Sequence, residues 1–142
     1  MAEYSDRYEK FARYLNKKGI AVFADDHRGH GATASENEMG WFAETNGWER
    51  IADDAFELAN FVTSQYGATT TFLMGHSMGS FLTRTYIIDH PEGLKGVIIS
   101  GTGQNPGAVV AAGKLMAKLE MIDNGPMYHS PTLDKLAFGS YN

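Results

Sequence analysis

Ser77 stands between Gly75 and Gly79 in the stretch "GHSMG". A serine hydroxyl becomes a useful nucleophile when it is held clear of the packed chain, with a donor waiting for the negative charge its attack creates. A sharp strand-to-helix turn does both. Such a turn crowds its own backbone, so the residues two before and two after the serine must be very small, and Gly75 and Gly79 meet that demand. Ser77 then opens a helix whose first N–H groups have no partner within the helix. The Met78 N–H is free to donate to an oxyanion, and the helix dipole adds to the effect. His76 completes the elbow. Five residues of this kind are a weak signal alone, because glycine and serine are common; the plain alternative is an ordinary turn with a small polar residue.

The flanks raise the signal. Residues 69–75, "TTTFLMG", are β-rich and apolar and predict a buried strand. A helical pattern starts at Met78 and stops near His90, because Pro91 disfavours helix at the residue before it. Upstream, Ser5 is a suitable N-cap, with Tyr8, Phe11, Ala12 and Leu15 at helical spacing. Lys17 and Lys18 suit the negative end of that helix, and Gly19 can end it. Residues 20–26, "IAVFADD", predict a buried strand, and the stretch from there to Asn46 a loop. Trp48, Ile51, Ala52, Ala55, Leu58, Ala59 and Val62 predict a second amphipathic helix ending near Gly67. Residues 96–101, "GVIISG", predict a third strand. Residues 108–122 predict a helix with Val109, Ala112, Met116 and Leu119 on one face, followed by a loop-like tail from Asp123. The order α-β-α-β-α-β-α is that of an α/β protein: parallel strands joined by right-handed crossovers, with helices on both faces.

The totals are compatible with this. The chain has 142 residues, 43% hydrophobic and 20% charged, enough for one domain with a real core. A net charge of −5 without like-charge blocks argues against a nucleic-acid partner. There are no cysteines, which rules out disulfides and thiolate metal sites and fits a reducing compartment. Apolar runs fall far short of the roughly 20 residues that span a membrane. The opening "MAEYSDRYEK" lacks the apolar middle of a signal peptide, so the expected location is the cytoplasm, with no stable membrane insertion.

"GHSMG", together with "YSDRYEKFARYLNKKGIAVFADDHRGHG" (residues 4–31), resembles the monoacylglycerol lipase and lysophospholipase branch of the α/β-hydrolases, often grouped with the serine aminopeptidase-like hydrolases. The likeness runs over the whole chain. It implies an ester hydrolase that uses no cofactor or metal and acts on small lipid-like esters, with Ser77 as nucleophile and Met78 as one oxyanion donor. Serine at the elbow argues against the related dehalogenases and epoxide hydrolases, which use aspartate there; a peptidase of the same grouping stays open. In the family a His-Gly pair precedes this segment, and the residue after the pair gives the second oxyanion N–H. Met1 matches that residue, but the pair is absent.

Chain order in this fold is nucleophile, acid, histidine. In the family the last two lie beyond the lid, and "FGSYN" at the end of this sequence resembles the opening of that lid. The resemblance thus implies about half of a hydrolase, lacking both ends, with residues 1–107 a partial core and 108–142 the start of a lid. An enzyme, a catalytically incomplete fragment and a non-enzymatic binding remnant of the fold are all consistent with this. Within the chain, His76 points elsewhere on the tight turn, and His90 lies about 20 Å along the helix. His129, with Asp123 or Asp134, is an alternative base should the tail fold back. In the family's sheet another strand separates the counterparts of residues 20–26 and 69–75. Its absence would leave a slot about 10 Å wide, two strand spacings. Either the first strand closes in on the second, or the exposed sheet edges promote self-association.

The remaining clusters have plainer roles. "DDHRGH", residues 25–30, offers carboxylates and imidazoles but no zinc spacing; by the resemblance it is a structural turn tied by Asp26 and Arg28. Trp41, Phe42 and Trp48 are expected in the core or under the loop. The helix over residues 108–122, with Met116 and Met121, suits either an acyl-accepting lid or a plain cover for the sheet.

Overall fold

The computed structural model describes residues 3–67 and 70–139. It divides into two compact units, Met1–Thr102 and Gly103–Asn142. In the first unit a 3-10 turn, Ser5–Tyr8, leads into α1, Glu9–Asn16, and Gly19 ends the helix region with φ +80°. Ser5 falls inside the turn instead of capping it; Tyr4 is the N-cap. An extended stretch and a loop with two short 3-10 turns follow, one of them capped reciprocally by Ser35 and Glu38. Then come α2 (Gly47–Tyr66), β1 (Thr71–His76), α3 (Met78–Asp89) and β2 (Leu94–Ser100).

β1 and β2 are parallel, in register from Thr71↔Leu94 to His76↔Ser100. Parallel strands need a crossover, and α3 supplies it. The core forms where α3 meets α2 and the sheet: Ile51, Ala52 and Val62 of α2 and Leu82 and Tyr86 of α3 are all buried. Each large apolar side chain so buried contributes about 1.5–3 kcal/mol. Trp48 reaches across from α2, its Nε1 donating to Thr85 Oγ1 at 2.9 Å. Phe42 stacks on His30 at 5.8 Å between ring centres, so the aromatics lie partly buried beneath the loop and at the α2–α3 seam. The opposite face of β1 stays open, with Phe72 and Met74 exposed.

Two further expectations need correction. Residues 20–26 are extended but join no sheet; among the described residues β1 pairs with β2 alone. Nor are they buried, since Ile20, Val22 and Phe23 are all exposed. The segment has not closed in on β1 because both its ends are held elsewhere. The Ile20 N–H bonds back to the Leu15 carbonyl at 3.2 Å. At the other end Asp26 accepts the Ser5 N–H at 2.6 Å and the Ala32 N–H at 2.8 Å. These bonds also favour the ionised carboxylate, so Asp26 titrates below its ordinary value, the Ala32 bond contributing most.

The second correction lies in the second unit, which holds α4 (Gly107–Asn124) and then α5 (Pro131–Phe138), where a loop-like tail was expected. Ser130 caps α5, its hydroxyl accepting the Leu133 N–H at 3.0 Å, and Pro131 occupies the first turn, where its missing N–H costs nothing. Among the described residues no helix is long and apolar enough to cross a membrane.

Candidate active site

Ser77 sits at the junction of β1 and α3 with φ +53° and ψ −118°. A non-glycine residue in this region is strained by about 1–3 kcal/mol, so the surroundings must hold it there. They do so from both sides. The Ser77 N–H donates to the Ser100 carbonyl at 2.9 Å, extending the ladder with β2 by one bond. The Ser77 carbonyl accepts from the Ser80 N–H at 2.9 Å and from the Ser80 hydroxyl at 2.6 Å. One peptide group of Ser77 thus belongs to the sheet and the other to the helix, and the positive φ is the turn between them. The Ser77 side chain is exposed.

The two glycines of the elbow are not equivalent. A methyl on Gly75 would press into the Gly79 carbonyl and Thr83 Oγ1, both closer than 3.0 Å. Those two atoms are themselves bonded, Thr83 Oγ1 donating to the Gly79 carbonyl at 2.9 Å, so they form a fixed lid over Gly75. A methyl on Gly79 would meet nothing within 4 Å. Smallness is thus demanded at Gly75, while the crowding expected at Gly79 is absent; what Gly79 brings to the contact is its carbonyl.

Among the described residues the Met78 N–H donates no hydrogen bond, as its place in the first turn of α3 dictates. Met1, the other expected oxyanion donor, lies outside the described residues. His76 turns away from Ser77: its Nδ1 is 3.2 Å from Ser100 Oγ, and its ring lies against Gly101, whose φ is +59°. A side chain at Gly101 would meet that ring at 3.0 Å. His90 stacks on Phe56 at 3.9 Å between ring centres, at the far end of α3. Among the described residues Ser77 Oγ has no hydrogen-bond partner, imidazole or other.

The "DDHRGH" turn binds the loop to the core. Arg28 forms a two-pronged bond with Asp54 of α2, at 2.6 and 2.8 Å. Asp26 fills the space beside Gly31, whose φ of +50° and lack of a side chain admit the carboxylate. His27 and Asp25 are 3.8 Å apart, too far for a hydrogen bond. Ser80 and Thr83, both buried, escaped the sequence reading although they hold the elbow. The available signal was a hydroxyl three residues after a helix cap, a spacing suited to back-bonding to the backbone.

Residues 1–125 match the family model described as serine aminopeptidase, S33. A monoglyceride lipase homolog of monkeypox virus is 31% identical over 117 residues, covering 82% of this chain and 41% of that protein. Human monoglyceride lipase is 29% identical over 97 residues, covering 68% of this chain and 30% of the enzyme. The crystal structure of a highly thermostable carboxyl esterase from Bacillus coagulans, in complex with glycerol, aligns with a TM-score of 0.80 at 31% identity. That alignment takes in 96% of this chain and 44% of the esterase. The chain therefore spans less than half the length of these relatives. The match over residues 1–125 and the likeness to the esterase together place the chain in the serine aminopeptidase S33 family, its serine elbow set on part of an α/β-hydrolase fold.

Proposed function

We propose that Ser77 is the nucleophile of a serine hydrolase that cleaves carboxylic esters of the monoacylglycerol or lysophospholipid kind. The observation that carries this is the backbone of Ser77, held at φ +53° at the head of α3 with an exposed side chain. A protein that needed only a βα turn would have no reason to retain that strain. The names of the relatives and the glycerol bound to the esterase support the substrate class.

In this mechanism Ser77 Oγ adds to the ester carbonyl carbon while its proton passes to an imidazole. The carbonyl oxygen takes up the negative charge against the Met78 N–H. The C–O bond to the alcohol then breaks, the imidazolium returns the proton to the leaving oxygen, and an acyl-enzyme remains. Water repeats the sequence and releases the carboxylic acid.

A second reading concerns the chain as it stands. Ser77 Oγ has no imidazole partner among the described residues, which favours a catalytically incomplete elbow whose base comes from elsewhere. A fluorophosphonate probe tests both readings. We expect slow labelling of Ser77, abolished in Ser77→Ala and accelerated by added imidazole acting as an external base. Fast labelling indifferent to imidazole would show that the chain supplies its own base. A folded protein that stays unlabelled even with imidazole would refute the hydrolase assignment. With imidazole present, turnover of a monoacylglycerol against an aminoacyl arylamide separates an esterase from a peptidase.

A further inference from the structure

The first turn of α3 carries a bond that those of α2, α4 and α5 lack. In α2, α4 and α5 the N-cap carbonyl accepts from the amide four residues on: Asn46 from Arg50, Pro106 from Val110 and Ser130 from Asp134. In α3 the N-cap carbonyl is that of Ser77, and here a side chain also bonds to it. Ser80 gives it two bonds, from its N–H at 2.9 Å and from its hydroxyl at 2.6 Å. Ser80 is fully buried, 0% exposed, so no water competes for that carbonyl from its side.

The consequence follows from the planarity of the peptide group. The Ser77 carbonyl and the Met78 N–H belong to one rigid trans unit and point in opposite directions. Whatever draws the carbonyl inward drives the N–H outward. The short Ser80 bond draws it toward the buried Ser80 of α3, and the Met78 N–H, on the opposite edge of the same plane, is left facing away from it. A hydroxyl bond of this kind also fixes ψ of Ser77, one of the two angles that define the elbow.

We propose that Ser80 is a positioning residue for the oxyanion donor: its buried hydroxyl anchors the Ser77 carbonyl and so aims the Met78 N–H at the reacting centre. This rests on the assignment of Ser77 as nucleophile. Ser80 itself touches no substrate; it acts through one peptide plane. Loss of a whole oxyanion donor lowers rates by about 100–1000-fold, and loss of aim with the donor still present should lower them by about tenfold.

The test compares the full chain with Ser80→Ala and with Ser80→Cys, which keeps a γ-atom in place but is a weaker donor, so that a failure of Ser80→Ala to fold does not end the experiment. Fluorophosphonate labelling of Ser77, with imidazole present, is resolved into the reversible binding step and the covalent step. We expect Ser80→Ala to lower the covalent step about tenfold, Ser80→Cys to fall between, and the reversible step to stay unchanged. In parallel the Ser77 carbonyl carbon and Met78 amide resonances are assigned by NMR; both should shift in Ser80→Ala, while Thr63→Ala, which removes a comparable back-bond in α2, should leave them in place. Unchanged labelling, or slower labelling with unmoved resonances, overturns the proposal. Should the wild-type chain fail to label, the assignment of Ser77 falls by itself. The resonances then decide whether Ser80 holds the Met78 peptide plane: shifted signals retain that anchoring, and unmoved signals overturn it.

Discussion

The two glycines of "GHSMG" should respond to alanine in opposite directions, although the motif treats them alike. In Gly75→Ala the new methyl meets the Gly79 carbonyl and Thr83 Oγ1 closer than 3.0 Å. One of these is backbone and the other is bonded to it, so neither can swing away. Overpacking typically costs about 1–3 kcal/mol, and a clash with bonded backbone belongs at the upper end, about 3 kcal/mol. At about 4–8 °C per kcal/mol for a unit of this size, the melting temperature should fall by about 12–24 °C. In Gly79→Ala the methyl meets nothing within 4 Å, and alanine is the better helix former. Its gain is about 0.5 kcal/mol, reduced from the full helix-interior value because Gly79 lies in the first turn. Tryptophan fluorescence suits the assay, because Trp41 and Trp48, the two tryptophans of the chain, both lie in the first unit. Urea and thermal midpoints of the two variants should bracket the wild type. A Gly75→Ala protein within about 0.5 kcal/mol of wild type, or a Gly79→Ala protein as damaged as Gly75→Ala, would refute the account of the elbow's packing.

Further outcomes follow from the same structure. Ser77→Gly relieves the positive φ and loses the hydroxyl. It should raise stability by about 1 kcal/mol, the strain less the greater freedom of unfolded glycine, while abolishing labelling; a drop in the urea midpoint would contradict the strain. The Asp26 carboxylate is held below its ordinary value of 3.8 by the Ala32 and Ser5 N–H groups. Its contribution is therefore full above the unfolded pKa and lost as pH falls through the lower folded one. Asp26→Ala should be less stable than wild type at neutral pH and converge with it in acid, and a gap that persists well below pH 3.8 speaks against this. Thr85→Val leaves the Trp48 Nε1–H without its acceptor and should cost about 1 kcal/mol in urea unfolding. The edge of β1 away from β2 and the open face with Phe72 invite pairing between copies. Sedimentation velocity should show concentration-dependent association that Phe72→Lys weakens; a wild-type protein monomeric at every concentration would remove that expectation.

Much of the fold was legible because its elements carry strong local signals. The apolar run before the elbow, the 3.6-residue pattern of Ile51, Ala52, Ala55 and Val62, and Pro91 placed α2, β1 and α3 close to their observed bounds. Residues 20–26 misled because composition reports what a strand would like to bury, and pairing depends on a neighbour the pattern cannot supply. α5 is hidden in the sequence because a proline inside a helix breaks it, whereas at the first helical turn Pro131 fits without loss and Ser130 completes the cap. At the site, the motif located Ser77, Gly75 and the Met78 N–H. It could not distinguish Gly75 from Gly79, since that depends on the Thr83 hydroxyl folding back over β1. Nor could it reveal Ser80, whose role comes from a hydroxyl bond within one helical turn.

The most direct test is a crystal structure of the chain after reaction with a fluorophosphonate. The account predicts phosphorus bonded to Ser77 Oγ, Ser77 still at positive φ, and a phosphonyl oxygen about 2.7–3.1 Å from the Met78 nitrogen. An adduct on another residue, or one on Ser77 whose oxygen points away from the Met78 N–H, would contradict it.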